Sequence, residues 1–84
     1  MADVALRLHV RFFAILREQA GRAAAEVETT APTPAALYAE LQAKYPLTFP
    51  VALLRVSINE RYAEHTTLLR TGDRVVFIPP VAGG

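Results

Sequence analysis

Cysteine is absent from this chain, which excludes disulfides, thiolate nucleophiles and cysteine-ligated metal sites. Long apolar runs are absent too, and no stretch approaches the roughly 20 residues needed to span a bilayer. The opening Met1-Ala2-Asp3-Val4 has neither the basic segment nor the unbroken apolar run of a secretion signal. No charge of one sign dominates: nine Lys and Arg face eight Asp and Glu, for a net charge of +1. The charges are interspersed, so neither nucleic acid nor a membrane surface is indicated as a partner. Catalytic constellations are missing as well. His9 and His65 lack metal-ligand spacing, and Ser57 falls in a predicted strand with no nucleophile elbow. Glu26 and Glu28 share one strand face in the manner of a solvated surface. Gly21 and Gly72 are isolated, so there is no glycine-rich phosphate loop. These absences argue against a free-standing enzyme and against a cofactor or metal bound by the chain itself. The expectation is a soluble, cytoplasmic domain.

What is present is an ordered set of elements. Its 84 residues suffice for one domain with a modest core, so residues 1–84 are read as a single unit. From Val4 to Phe13, Val4, Leu6, Leu8, Val10 and Phe12 alternate with Arg7, His9 and Arg11, the period of a half-buried strand. Ala14 to Ala20 reads as a short helix closed by Gly21 in a left-handed cap. Ala24 to Thr29 is a second, weaker strand. Thr33-Pro34 starts a longer helix, with Thr as the capping oxygen and Pro pre-set at the first helical position. Leu37, Tyr38, Leu41 and Tyr45 give that helix one apolar face, and Pro46 ends it. Leu54 to Asn59 alternates again, with Leu54, Val56 and Ile58 inward. Asn59-Glu60-Arg61 is a turn into a short strand at Tyr62-Ala63, and Thr71-Gly72-Asp73 is a turn into a last strand from Arg74 to Pro79. One sheet packed on one main helix satisfies this order most economically. The fold class is therefore α+β, a ubiquitin-like β-grasp: a mixed sheet of about five strands with the helix on one face. The hydrophobic first and last strands suit central positions.

Two features stand apart from the core. The first is the end, Pro79-Pro80-Val81-Ala82-Gly83-Gly84. Two terminal glycines are compositionally rare, and without Cβ atoms they can thread a channel closed to other residues. Pro79-Pro80 cannot continue a central strand and favours a stiff extended stem of about 3.1 Å per residue. Residues 79–84 are thus read as a projecting tail that presents the Gly84 carboxylate. If the protein handles sulfur, no side-chain thiol can carry it, and that carboxylate is the remaining candidate. The second feature is an apolar surface. If Leu8, Val10, Phe12, Val75 and Phe77 face inward, then Phe13, Val76 and Ile78 face outward, with Tyr62 nearby and Arg11 and Arg17 at the rim. An aromatic beside arginine is common chemistry for a protein–protein contact.

Three segments carry a family resemblance over essentially the whole chain: Phe12-Phe13-Ala14-Ile15-Leu16-Arg17-Glu18-Gln19-Ala20-Gly21, Ser57-Ile58-Asn59-Glu60-Arg61-Tyr62, and Gly72-Asp73 through the Pro-Pro-Val-Ala-Gly-Gly end. Together they resemble the molybdopterin synthase small subunits, ubiquitin-like sulfur carriers. The resemblance implies that Gly84 is adenylated by an enzyme related to those that activate ubiquitin, using ATP and magnesium. A sulfurtransferase or desulfurase would then supply sulfur for a thiocarboxylate. The loaded tail would enter the large synthase subunit, in an expected heterotetramer, and give its sulfur to a pyranopterin precursor of the molybdenum cofactor. Gly83 would fit the narrow channel, and Val81 and Ala82 would line its entry. Phe13, Arg17, Tyr62, Val76, Ile78 and Pro80 would complete the partner-binding set. Two positions depart from the commoner pattern: Ile78 stands where an aromatic is frequent, and Arg74 where an acid is frequent.

Other readings remain open on the residues alone. The chain could be a sulfur carrier for thiazole, cysteine or tRNA thiolation, although such carriers usually lack this Phe-Ala-X-Leu-Arg-Glu start and the Pro-Pro-Val stem. It could also be a protein modifier joined to target lysines, or a passive binding module. Lys44 is its only lysine, which disfavours polymeric chains.

Overall fold

The computed structural model describes residues 5–80. Val4, and the tail positions Val81, Ala82, Gly83 and Gly84, lie outside the described residues. The alternating first segment forms β1 (Leu6–Phe12), whose Leu8, Val10 and Phe12 are fully buried while Arg7, His9 and Arg11 are exposed. Helix α1 (Ile15–Ala20) follows and ends on Gly21 at φ 73°, the left-handed cap that glycine adopts without a Cβ penalty. Strand β2 (Ala24–Thr29) returns antiparallel to β1, with Leu8 opposite Val27 and Val10 opposite Ala25.

Helix α2 (Pro34–Lys44) begins as its sequence requires: the Thr33 hydroxyl accepts the Ala36 amide at 3.3 Å and Pro34 occupies the first turn. Its end is set by Pro46. Tyr45, the residue before that proline, turns extended at φ −125°, ψ 152°. Leu37, Tyr38 and Leu41 are buried on the face toward the sheet, and each leucine contributes about 1.5–3 kcal/mol through burial. Two aromatic contacts close the interface. Tyr38 lies 5.2 Å from Phe77, and Tyr45 meets Phe12 edge-on at 5.7 Å between ring centroids. A 3₁₀ turn, Val51–Leu53, lies in the segment the sequence leaves as a loop.

Strand β3 (Arg55–Ile58) pairs with β4 (Arg61–Ala63) through a two-residue turn. Asn59 and Glu60 both have positive φ, 54° and 73°, the geometry that matches the right-handed twist of a hairpin. Strand β5 (Arg74–Ile78) lies parallel to β1 and antiparallel to β3, so the sheet order is β2-β1-β5-β3-β4. The predicted mixed five-stranded ubiquitin-like sheet with one main helix is what forms. β5, the last strand, occupies the centre of the sheet and stops at Ile78, immediately before the two prolines.

Candidate functional site: the tail root and the outer sheet face

Central β5 alternates its side chains between two environments. Val75 and Phe77 enter the core, whereas Val76 and Ile78 are half-buried on the face that α2 does not cover. The register builds a row across that face: Arg11 pairs with Val76, Val76 with Ser57, and Ser57 with Tyr62. Tyr62 is 71% exposed, so its ring adds little to stability and much to the surface. Arg55, which pairs with Ile78, holds its guanidinium 5.6 Å from the centre of the Tyr62 ring, within cation–π range. The outer face thus carries an apolar centre bordered by Arg11 and Arg55.

Where β5 ends, this face runs into a groove of about 570 Å³ lined by Phe13, Ala14, Ile15, Phe49, Ile78, Pro79 and Pro80. Phe13 is 46% exposed and Ile15 40%. Pro79 is buried and Pro80 exposed, so the proline stem is anchored in the body at its first residue. The corner that presents Phe13 is unusual in its backbone. Ala14 takes φ 52°, ψ −127°, and the Leu16 amide donates to the Phe13 carbonyl at 3.0 Å. These are the features of a type II′ turn at a position that normally takes glycine.

Arg17, expected at the rim, stands beside the groove and does not line it. It lines a separate shallow depression with Ala14, Glu18, Gly21, Arg22 and Ala23, and the two hollows meet at Ala14. Phe13, Ile78 and Pro80 are therefore brought together, Val76 and Tyr62 belong to the adjoining sheet row, and Arg17 flanks the corner. Ile15, Phe49 and Arg55 line the same surfaces and are absent from the sequence-derived set. Ile15 had a local signal, being the exposed apolar neighbour of inward Leu16. Phe49 had none, since no periodicity places its loop beside the end of β5.

The remaining polar residues serve the framework. His9 lies 3.6 Å from Glu26 on the exposed sheet face. His65 sits in a turn, its Nε2 2.8 Å from the Leu54 carbonyl. The buried Tyr38 hydroxyl donates to the Phe49 carbonyl at 2.7 Å, and burial pushes its phenol above the ordinary value. Thr29 donates to Glu40 and accepts the Ala31 amide. Among the described residues no cluster of His, Asp or Glu could hold a metal ion, and no helix is long and apolar enough to cross a membrane.

Residues 10–84 match the ThiS family. The molybdopterin synthase sulfur carrier subunit of Escherichia coli is 35% identical over 80 residues, spanning 92% of this chain and 99% of its own length. A chain of the Helicobacter pylori complex of subunits 1 and 2 of molybdopterin-converting factor is 26% identical. It superposes with a TM-score of 0.66 and covers 94% of this chain and 100% of that one. Small archaeal modifier protein 1 of Haloferax volcanii reaches a TM-score of 0.76 at 22% identity, covering 90% and 99%, and is alike in fold alone.

Proposed function

The chain belongs to the ThiS family, and from that membership we propose that it is a sulfur carrier of molybdenum cofactor biosynthesis, working as the small, non-catalytic subunit of molybdopterin synthase. The reading rests on β5. The central strand leads through the anchored Pro79 to exposed Pro80, and the groove beside that exit offers a partner an apolar hold on the body of the protein. A partner gripping there receives whatever group Gly84 carries.

A carboxylate is a poor acyl electrophile because its charge is delocalised and it has no competent leaving group. Attack of the Gly84 carboxylate on ATP expels pyrophosphate and leaves an acyl-adenylate. A sulfide-level nucleophile then displaces AMP and leaves a thiocarboxylate. The catalytic groups for these steps belong to partners: an adenylating enzyme related to those that activate ubiquitin, a sulfurtransferase or desulfurase, and the large synthase subunit. This chain contributes position. Holding the tail's reacting atom beside its target converts a bimolecular encounter into an effectively unimolecular step. Gly83, without a Cβ, is the residue that fits the partner's narrow channel. Phe13, Tyr62, Val76, Ile78 and Pro80 provide the docking surface, with Arg17 at its flank and Val81 and Ala82 at the channel entry.

Intact-mass measurement after incubation with the activating enzyme, ATP and a sulfur donor tests the first half. One oxygen is expected to be replaced by sulfur at Gly84, and deletion of Gly84 is expected to abolish the change without altering thermal stability. An unchanged mass with a competent activating enzyme refutes the carrier role. For the second half, the loaded protein with the large subunit is expected to convert the pyranopterin precursor to molybdopterin. Activity in thiazole assembly instead would assign a different pathway, and isopeptide-linked conjugates would assign a modifier.

A further inference from the structure

The apolar groove is assembled from three segments distant in sequence: the corner at Phe13–Ile15, the loop residue Phe49, and the end of β5 at Ile78–Pro80. The loop that carries Phe49 belongs to no strand, and among the described residues no backbone hydrogen bond joins it to the corner or to α1. Side chains make the connection. Gln19, on α1, donates from Nε2 to the Thr48 hydroxyl at 2.8 Å and accepts the Thr48 amide on Oε1 at 3.1 Å. The backbone N–H can only donate, so it dictates which way the amide points. On the loop's other side, the buried Tyr38 hydroxyl bonds the Phe49 carbonyl, and Gln42 bonds the Leu47 carbonyl at 3.2 Å.

We propose that the Gln19–Thr48 bracket, with Tyr38 behind it, positions Phe49 against the α1 corner and so sets how tightly the large synthase subunit grips this chain. This deepens the sulfur-carrier reading and rests on it for the identity of the partner. Gln19, Thr48 and Tyr38 are absent from the residues lining the groove, so they are positioning residues that act through Phe49. The bracket is a control point for a physical reason. A docking groove built from a loop must pay the entropy of ordering that loop when it binds, unless the loop is already held. Two hydrogen bonds from one side-chain amide hold it beforehand, and their exposed setting keeps their strength no greater than that of ordinary hydrogen bonds.

Three variants test this. Gln19→Leu keeps the side chain's bulk and removes both bonds. Gln19→Glu keeps an acceptor for the Thr48 amide, and the Thr48 hydroxyl can rotate to donate to the second oxygen. Thr48→Val removes only the hydroxyl. With 4-fluorophenylalanine in place of Phe49, the fluorine resonance of the free protein reports the position of that ring without any partner. Gln19→Leu is expected to shift or broaden the resonance, and Gln19→Glu to restore it. In titrations with the purified large subunit, Gln19→Leu is expected to weaken binding by about five- to tenfold and Thr48→Val by about threefold, while Gln19→Glu stays within about twofold of wild type. The rate of sulfur transfer at saturating concentration is expected to be unchanged in all three. An unshifted fluorine resonance in Gln19→Leu overturns the proposal, whatever the partner. So does a shifted resonance with unchanged affinity, or equal weakening by Leu and Glu. A wild-type protein that fails to bind the large subunit, while its Phe49 resonance responds to the bracket, refutes the partner assignment and leaves the positioning of Phe49 established.

Discussion

Asn59 and Asp73 lock two turns of the sheet together, with Asn59 Nδ2 donating to Asp73 Oδ1 at 2.9 Å. The remaining atoms of the pair are also used: Asn59 Oδ1 accepts the Arg74 amide at 2.9 Å, and Asp73 Oδ2 accepts the Arg70 amide at 2.8 Å. Asp73 is buried, and both of its carboxylate oxygens are taken up by these donors. The pair fixes the start of the central strand and the hairpin that returns Tyr62 to the outer face.

Substitution at Asn59 separates the side-chain bonds from the backbone requirement. Asn59→Gly keeps the positive φ and loses the bonds, at an expected cost of about 1–2 kcal/mol. Asn59→Ala loses the same bonds and keeps a Cβ in the left-handed region without asparagine's tolerance of it, so it should be about 1 kcal/mol less stable than the glycine variant. Urea denaturation of the two variants should therefore rank Ala below Gly, and the reverse order would refute the pairing of these two causes.

Ala14 is expected to be a site of stored strain. With φ 52° and ψ −127° it occupies a region that glycine fills freely. Ala14→Gly should raise stability by roughly 0.5–1 kcal/mol, the relieved strain exceeding the added chain entropy of glycine. A lower melting temperature in the variant would show the corner to be relaxed with alanine in place.

Tyr38 makes stability depend on alkaline pH. Burial raises its phenol above the ordinary 10.0, so the folded state holds the proton more tightly than the unfolded chain. Its contribution is complete below pH 10. It is lost as pH rises from there through the folded-state value, because the unfolded chain ionises first. Tyr38→Phe should be less stable at neutral pH by about 1–2 kcal/mol, since the Phe49 carbonyl loses its donor. That deficit should shrink above pH 10. Parallel denaturation curves of the two proteins at pH 7 and pH 11 check it, and a constant difference would exclude the linkage.

The groove and the sheet row should separate in binding. Phe13→Ala removes an exposed ring, so the fold should survive while affinity for the large subunit falls about tenfold or more, the effect of a hot-spot residue. Ile78→Asp should do the same by placing a charge at the groove floor. Arg17→Ala, in the neighbouring depression, should cost less than either. Equal effects at Arg17 and Phe13, measured by calorimetry, would mean that the two hollows form one contact.

Much of this protein follows from its sequence alone. Period-two alternation in Leu6–Phe12, the Thr33-Pro34 start and Pro46 stop of α2, and the glycine at position 21 are local signals, because sterics and hydrogen bonding act over a few residues there. They determine the elements, the inward faces and the central, hydrophobic character of β1 and β5. The outward placement of Phe13, Val76 and Ile78 follows from the same alternation. Other features were decided only in three dimensions. The glycine-like turn at Ala14 is imposed by the need to swing Phe13 off the strand while Leu16 reaches the core. Phe49 joins the groove through a loop whose Thr48 is bonded by Gln19, 29 positions earlier in the chain, and Arg55 meets Tyr62 through strand pairing. Such contacts between residues remote in the chain leave no periodic trace, since they depend on sheet order and loop closure and not on any residue's nearest neighbours.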